Sequence, residues 1–360
     1  MPRTSVGVSS ANASPCVCGQ TGVCLPFFIC VALRGHRVQS SGEQSRTEGD
    51  ILTTIGTRGS PLALAQAHDV RARLARAHGV DAERIAIRVI RTTGDAIQDR
   101  TLAESGGKGL FTKEIEEALL AGSIDLAVHS SKDVPTFLPD ATWLSAFLPR
   151  EDPRDVFISH KAASLADLPS GAVVGTASLR RQAMVLRLRP DLKVEVMRGN
   201  VETRLRKLAS GEADATLLAL AGLKRLGLTD KVTRIFSIDE FLPAVGQGAI
   251  AIESRRDDGR TNAFVKAIAD ADTDVALSAE RSFLALLDGS CRTPIGGHCR
   301  VDGERIHFRG LIISPDGRES YETTREGTRA DAVALGTDAA RELRAQAGEK
   351  FFTLFSGAGN

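Results

Sequence analysis

Side chains that bind anions follow several short apolar segments of this chain. Each segment is typical of a buried parallel strand, and ligands bind at the carboxyl ends of such strands. The residues concerned are Arg58 with Ser60, Ser130 with Lys132, Thr176 with Ser178, Arg180 with Arg181, Arg198 with Asn200, and Arg204 one helical turn further. A single arginine could be a solvated surface charge, but the whole set predicts a cleft for carboxylates, which guanidinium groups bind in pairs of hydrogen bonds. The glycine-rich stretch 106–109 lacks the spacing of a nucleotide phosphate loop.

Two further residues of this region differ from the basic set. Asp133 follows Lys132 directly, and it could form a structural salt bridge, stabilise a cationic intermediate or shuttle a proton. Phe111 opens a predicted helix and could cover a flat ring, although core packing explains it equally well.

Cys291 lies in a turn rich in Gly, Ser and Pro, after an amphipathic helix predicted over residues 274–287 and ended by Gly289. A cysteine in such a turn can be accessible and reactive, whereas the alternative is a small buried thiol. We expect Cys291 and Cys299 to be free thiols, because nothing else resembles a disulfide-framed secreted domain.

The composition is that of a soluble globular protein of two or three domains. The 360 residues carry a net charge of +1, with 42% hydrophobic and 4% aromatic residues. Neither nucleic acid nor a membrane is indicated as a partner, because there is no basic excess, no base-stacking platform and no apolar run of about 20 residues.

Residues 1–49 differ from the rest of the chain. Positions 1–42 contain no Asp or Glu. We interpret this segment as a disordered extension, with an organelle transit peptide as the alternative. Four cysteines lie in it without a common zinc spacing, so we expect no metal: Cys16, Cys18, Cys24 and Cys30.

Strands alternate with helices after residue 50, which predicts an α/β fold with mainly parallel sheets. Gly56-Thr57-Arg58-Gly59-Ser60 and Gly175-Thr176-Ala177-Ser178 each join a strand to a helix, and this echo favours two lobes. We expect periplasmic-binding-protein-like lobes at 50–150 with 247–268 and at 151–246. A smaller C-terminal α+β domain at 269–360 would carry Cys291.

Six strings together resemble the porphobilinogen deaminase (hydroxymethylbilane synthase) family, in family order over about residues 51–355. They are Thr-Arg-Gly-Ser-Pro-Leu-Ala-Leu-Ala-Gln from Thr57, Gly-Gly-Lys-Gly-Leu-Phe from Gly106, His-Ser-Ser-Lys-Asp-Val-Pro from His129, Gly-Thr-Ala-Ser-Leu-Arg-Arg-Gln from Gly175, Arg-Gly-Asn-Val from Arg198 and Gly-Ser-Cys-Arg-Thr-Pro-Ile-Gly from Gly289. One departure is Glu104, where bacterial members often have a lysine.

The resemblance implies a transferase of tetrapyrrole and heme biosynthesis. Cys291 would hold a dipyrromethane cofactor through a thioether bond. Porphobilinogen would lose ammonia to give an azafulvene, which the terminal pyrrole attacks. After four additions, water would release linear hydroxymethylbilane.

The resemblance also implies roles for individual residues. Asp133 would be catalytic. The cofactor would contact Cys291 (covalently), Ser60, Lys108, Ser130, Lys132, Asp133, Thr176, Ser178, Arg180, Arg181, Gly199 and Gln247. The substrate would contact Arg58, Ser60, Arg198, Asn200, Arg204 and Arg225, and we add Phe111 to this set. The expected protein is a cytoplasmic monomer, or an organelle protein if the extension is a targeting segment.

Two other functions fit parts of the pattern. A two-lobed carboxylate-binding receptor would need no Cys291. A cysteine hydrolase would use Cys291 with His298 or His129, but no family signature supports such a base.

Overall fold

Three β-sheets organise the chain in the computed structural model, which describes residues 51–96, 111–287 and 294–356. The strands are β1 (Thr53–Thr57), β2 (Ile85–Val89), β3 (Leu126–Ser130), β4 (Thr142–Phe147), β5 (Asp155–Ser159), β6 (Val173–Gly175), β7 (Lys193–Glu195), β8 (Ala215–Ala219), β9 (Arg234–Ile235), β10 (Ile250–Arg255), β11 (Ile295–Asp302), β12 (Arg305–Ile313) and β13 (Ser320–Thr328). The helices are α1 (Pro61–His78), α2 (Thr93–Ala96), α3 (Lys113–Leu120), α4 (Leu179–Leu188), α5 (Val201–Ala209), α6 (Leu220–Leu226), α7 (Gly259–Lys266), α8 (Ala271–Leu286) and α9 (Ala332–Ser356).

The first two sheets have the same topology. Their strand orders are β2-β1-β3-β10-β4 and β7-β6-β8-β5-β9. In each sheet four strands run in one direction, and the reversed strand is β10 in the first and β5 in the second. The predicted α/β class with two lobes is therefore confirmed, and the reversed strand of each lobe is the one that the chain enters from the other lobe.

Local sequence explains how the first helix begins and ends. Ser60 has extended backbone dihedrals, and its hydroxyl accepts a hydrogen bond from the N–H of Ala63 at 3.3 Å. Pro61 follows at the first helical position, where a missing N–H costs no hydrogen bond. Gly79 ends the helix with φ +62°, a left-handed conformation that glycine adopts without strain.

Apolar side chains on both faces hold each sheet between helices. In the first lobe, Val70 and Leu74 of α1 pack against Ile55 of β1 and Leu126 of β3, and all four are fully buried. Full burial of one such side chain is worth roughly 2 kcal/mol. The lobe cores therefore fix the positions of the strand ends.

The C-terminal domain is a three-stranded antiparallel sheet covered by two helices. The strand order is β11-β12-β13, and β12 and β13 are joined by the turn at 314–317 that the sequence predicts. Phe283 of α8 and Leu343 of α9 are buried with Phe308 of the sheet. The smaller α+β domain is therefore confirmed.

The predicted start of one helix was wrong. Helix α8 begins at Ala271, not at Asp274, because Asp270 caps it by accepting from the N–H of Thr273. The residue that follows its last turn is Leu287, and Gly289 lies outside the described residues. No helix within the described residues combines the length and apolarity needed to span a bilayer.

Candidate functional site

The carboxyl ends of β1 and β3 form one wall of a cleft. The cleft is open to solvent and is lined by Arg58, Ser60, Leu62, Ala63, Gln66, Phe111, Thr112, Val128, His129, Ser130 and Asp133. Ser130 and Gln66 exchange hydrogen bonds at 2.9 and 3.1 Å, which ties the end of β3 to α1. The guanidinium carbon of Arg58 lies 4.1 Å from the centre of the Phe111 ring. Phe111 therefore forms a cation–π contact at the edge of the cleft and is not a core residue.

Asp133 is exposed at the end of a short 3-10 turn, Ser131–Asp133. Its carboxylate forms no ion pair with any described residue, so the salt bridge to Lys132 that the sequence allowed is absent from the described part of the chain. Lys132 is half-buried, and its ammonium group donates to the side-chain oxygen of Gln247 at 3.2 Å. Lost hydration lowers the pKa of Lys132 to about 8; Arg181 acts in the same direction, while Asp133 and Asp155 oppose it.

The second lobe contributes the loop between β6 and α4. The hydroxyl of Thr176 accepts from the N–H of Ser178 at 3.2 Å, and the hydroxyl of Ser178 caps α4 by accepting from the N–H of Arg181. This local geometry repeats that of Ser60 at the start of α1, as the echo in the sequence predicted.

Arg180 and Arg181 have an internal partner that the sequence reasoning missed. Both are buried, with 5% and 4% of their surface exposed, and both bind the carboxylate of Asp155, at 2.6 and 2.7 Å. Their remaining guanidinium contacts include the carbonyl oxygens of Leu242 and Leu217. Burial alone would raise the pKa of Asp155, but the two arginines hold it at about 2. No sequence pattern marks Asp155, because it stands at the beginning of a strand and not after one.

Arg198, Gly199 and Asn200 follow β7 at the same edge of the sheet. Asn200 caps α5 by accepting from the N–H of Thr203 at 2.8 Å. Arg204 donates to the carbonyl oxygen of Gly199 at 2.9 Å.

Arg204 interacts electrostatically with charged groups of both walls. Burial lowers its pKa to about 10; Arg181 and Arg198 add to that effect, and Asp133 of the first lobe opposes it. Asp133 and Arg204 are therefore close enough to interact across the cleft.

Gln247 lies where the chain returns to the first lobe, and Arg225 lies on α6 of the second lobe. The Gln247 amide group is almost fully buried and donates to the carbonyl oxygen of Pro153 at 2.7 Å and to Asp155 at 3.1 Å. Arg225 donates to the carbonyl oxygen of Gly248 at 2.7 Å. Both side chains therefore join the lobes.

A second group that the sequence reasoning missed lies behind the cleft. His129 and Glu253 are buried with 3.2 Å between Nε2 and Oε2, but their alignment is not that of a hydrogen bond, and neither group has another partner among the described residues. Burial raises the pKa of the nearby Glu116, and Glu253 adds to the rise. Only the pairing of β3 with β10 brings these residues together.

Some predicted site residues lie outside the described residues: Cys291, Lys108 and the divergent Glu104. Cys299 is described, and it is a buried free thiol whose pKa burial raises to about 12. Lost hydration lowers the pKa of His298 to about 4. Within the described residues, no group of three or more His, Cys, Asp or Glu side chains is arranged to hold a metal ion.

The arrangement suits a ligand that carries several carboxylates. In the wall, two guanidinium groups share a single carboxylate, and Lys132 adds to the positive charge. The Nε atom of Arg180 is buried without a hydrogen-bond partner among the described residues. Such a surplus of buried donors attracts anions in a low-dielectric cleft.

Comparison with protein families agrees with this chemistry. Residues 53–263 match a family model described as "Porphobilinogen deaminase, dipyromethane cofactor binding domain". Residues 275–345 match "Porphobilinogen deaminase, C-terminal domain". The chain belongs to the porphobilinogen deaminase family.

Curated members of the porphobilinogen deaminase family are closely similar to this chain. The porphobilinogen deaminases of Nitrobacter hamburgensis and Nitrobacter winogradskyi are each 82% identical over 315 residues, which is 88% of this chain and the whole of each relative. The family model assigns the dipyrromethane cofactor to the part of the chain that forms the cleft, and the basic groups there fit its carboxylates.

Solved structures give weaker likenesses. An ABC transporter periplasmic substrate-binding protein from Coxiella burnetii has a TM-score of 0.39 and 16% identity, covering 60% of this chain and 91% of its own. A nutrient-binding protein from Burkholderia cenocepacia has a TM-score of 0.37 and 15% identity, covering 60% and 90%. Similarity at this level adds nothing to the fold described above.

Proposed function

We propose that this chain is a hydroxymethylbilane synthase, which joins four porphobilinogen molecules and releases a linear tetrapyrrole. The observation that carries the proposal is the position of Asp133: its exposed carboxylate faces a cleft whose opposite wall contributes Arg204 and Arg181. Family membership identifies the ligand class, and the side chains supply what that ligand requires. Each pyrrole carries an acetate and a propionate, so the product accumulates negative charge as it grows.

The residues of the two walls would bind the cofactor, the substrate or both. Lys132, Arg181, Ser178 and Thr176 would hold carboxylates of the dipyrromethane cofactor, which supplies a primer with a free pyrrole carbon. The wider cofactor set is Ser60, Lys108, Ser130, Asp133, Arg180, Gly199 and Gln247, with Cys291 as the covalent attachment. The substrate set is Arg58, Ser60, Phe111, Arg198, Asn200, Arg204 and Arg225.

Asp133 would stabilise the positive charge that develops during each condensation. In each condensation the C–N bond of the aminomethyl group breaks and ammonia leaves. A C–C bond forms at a pyrrole α-carbon, and that carbon loses a proton, which ammonia takes up. Positive charge develops on the substrate ring while the C–N bond breaks, and a carboxylate beside the ring N–H stabilises it.

Intact-mass measurement tests the proposal together with a product assay. Purified protein is expected to be heavier than its sequence by one dipyrromethane unit and to convert porphobilinogen to hydroxymethylbilane. Cys291→Ser should abolish both, whereas Cys299→Ser, which changes the buried thiol, should keep both. Binding of porphobilinogen without the added mass and without turnover would support the carboxylate-binding receptor and overturn the proposal.

The proposal also covers the domain boundaries, the oligomeric state and the location of the protein. The lobes would comprise residues 50–150 with 247–268 and residues 151–246, with a C-terminal domain at 269–360. The protein would act as a cytoplasmic monomer with porphobilinogen as its partner and without nucleic acid. Light scattering after size-exclusion chromatography checks the oligomeric state, and sequencing of the mature N-terminus checks for removal of a targeting segment.

A further inference from the structure

Asp155 is a buried carboxylate on which hydrogen-bond donors of both lobes converge. It is the first residue of β5 and has no exposed surface. Its Oδ2 accepts from Arg180 at 2.6 Å, and its Oδ1 accepts from Arg181 at 2.7 Å. The same Oδ1 accepts from Gln247 at 3.1 Å, although Gln247 belongs to the segment that returns to the first lobe.

A chain of hydrogen bonds continues from Asp155 to the neighbour of Asp133. The amide nitrogen of Gln247 donates to Asp155 and to the carbonyl oxygen of Pro153, so its oxygen must face the other way. That oxygen accepts from the ammonium group of Lys132 at 3.2 Å. Because Gln247 is only 1% exposed, packing fixes this orientation.

Charge explains why a carboxylate is needed at this position. Arg180 and Arg181 are adjacent and both more than nine-tenths buried, so without Asp155 they would be two desolvated like charges side by side. Asp155 neutralises one of the two charges. The wall therefore keeps a net positive charge, and Asp155 holds the guanidinium N–H donors in one arrangement.

We propose that Asp155 is a positioning residue for carboxylate recognition, which fixes Arg180 and Arg181 in the second lobe and, through Gln247, fixes Lys132 in the first. The inference rests on the proposed function and extends it to a residue outside the predicted site. Asp155 itself reacts with nothing; it acts through the groups that it orients.

The pKa of Lys132 reports directly on this role of Asp155. The charged groups that face it are Asp133, Asp155, Arg180 and Arg181. Removing the charge of Asp155 leaves the two arginines less opposed, so the protonated form of Lys132 becomes less favourable.

The test is Asp155→Asn, which preserves shape and removes the charge. In lysine-labelled full-length protein without added substrate, the NMR titration midpoint of Lys132 should move below the midpoint measured in the wild-type protein. The signal is assigned by its disappearance in Lys132→Arg. The KM for porphobilinogen should rise about ten-fold, with a smaller change in kcat. Asp152→Asn is the matched control, since it removes a nearby carboxylate that pairs with Arg154, and it should change neither quantity.

An unchanged Lys132 midpoint in folded Asp155→Asn would overturn the inference. If circular dichroism shows that this variant does not fold, Gln247→Leu carries the test. That change breaks the link between Asp155 and Lys132 but leaves both arginine pairs, and it should also lower the midpoint; no change would be decisive against the proposal. The measurement needs no turnover, so a chain that makes no hydroxymethylbilane would refute the proposed function alone.

Discussion

Two aspartates of the cleft have opposite environments, and the environments suit different tasks. Asp155 is fully buried, and two guanidinium groups bind its carboxylate. Asp133 is exposed and forms no ion pair with a described residue. A carboxylate whose charge is already neutralised can organise donors, whereas one with a free face can meet a developing positive charge.

Asp133→Asn should reduce kcat at least about 100-fold, because the amide keeps the shape but cannot stabilise a cation. Steady-state assays with porphobilinogen measure the effect, and the circular dichroism spectrum should match that of the wild type. Asp140→Asn, in an exposed position of the following loop, should retain wild-type turnover. A wild-type kcat in Asp133→Asn would remove the proposed catalytic role.

The pH dependence of carboxylate binding should follow Lys132. Its pKa is lowered to about 8, so the ammonium group is present below that pH and is lost as the pH rises through it. The KM for porphobilinogen should therefore increase several-fold between pH 7 and pH 9. Lys132→Arg stays charged and should show a flatter profile; identical profiles for the two proteins would contradict this assignment.

At the scale of elements, corresponding helices of the two lobes begin in the same way. In each, a short strand leads to a hydroxyl-capped helix, at Ser60 in one lobe and Ser178 in the other. Because the sheets share one strand order, these helix starts occupy equivalent positions. Backbone N–H groups at a helix start favour anions, so each lobe has one suitable end for a carboxylate.

The loop before α5 is another strand exit, and its backbone is constrained at Gly199. Gly199 has φ +120°, and a Cβ atom there would lie 2.6 Å from the side chain of Thr203. Gly199→Ala should therefore lower the free energy of unfolding by about 2 kcal/mol or more. Gly79→Ala meets nothing within 4 Å and should cost only about 1 kcal/mol. Urea denaturation distinguishes the two, and equal losses would show that the clash is relieved at no cost.

At the scale of the molecule, one buried carboxylate joins the C-terminal domain to both segments that connect the lobes. Glu280 of α8 binds Arg150 of the first connection at 2.5 Å, and it accepts from the N–H of Gly246 in the second at 2.7 Å. It also accepts from the N–H of Cys299 at 2.8 Å. Glu280 therefore ties helix α8 and strand β11 to both connections between the lobes.

Glu280→Gln should lower the free energy of unfolding by about 3 to 5 kcal/mol, because it leaves the half-buried Arg150 without its charge partner. Thermal and urea unfolding measure the loss. Asp230→Asn breaks an exposed pair with Lys231 and should change stability by less than about 0.5 kcal/mol. A small loss in Glu280→Gln would mean that the three regions are held together mainly by apolar packing.

Much of this protein could be predicted from its sequence because the information is local. The apolar runs, Ser60 before Pro61, and the arginines after strands report short-range backbone preferences. They predicted the α/β class and the helix start at Ser60, and they placed the basic residues after the strands. The tertiary structure alone decided the partners of those residues: Asp155 meets Arg180 and Gln247, and Glu253 meets His129, across 25 to 124 residues of chain. Such pairs depend on strand order and on how the lobes are apposed, which no local pattern encodes, because burial and charge compensation are properties of the assembled core.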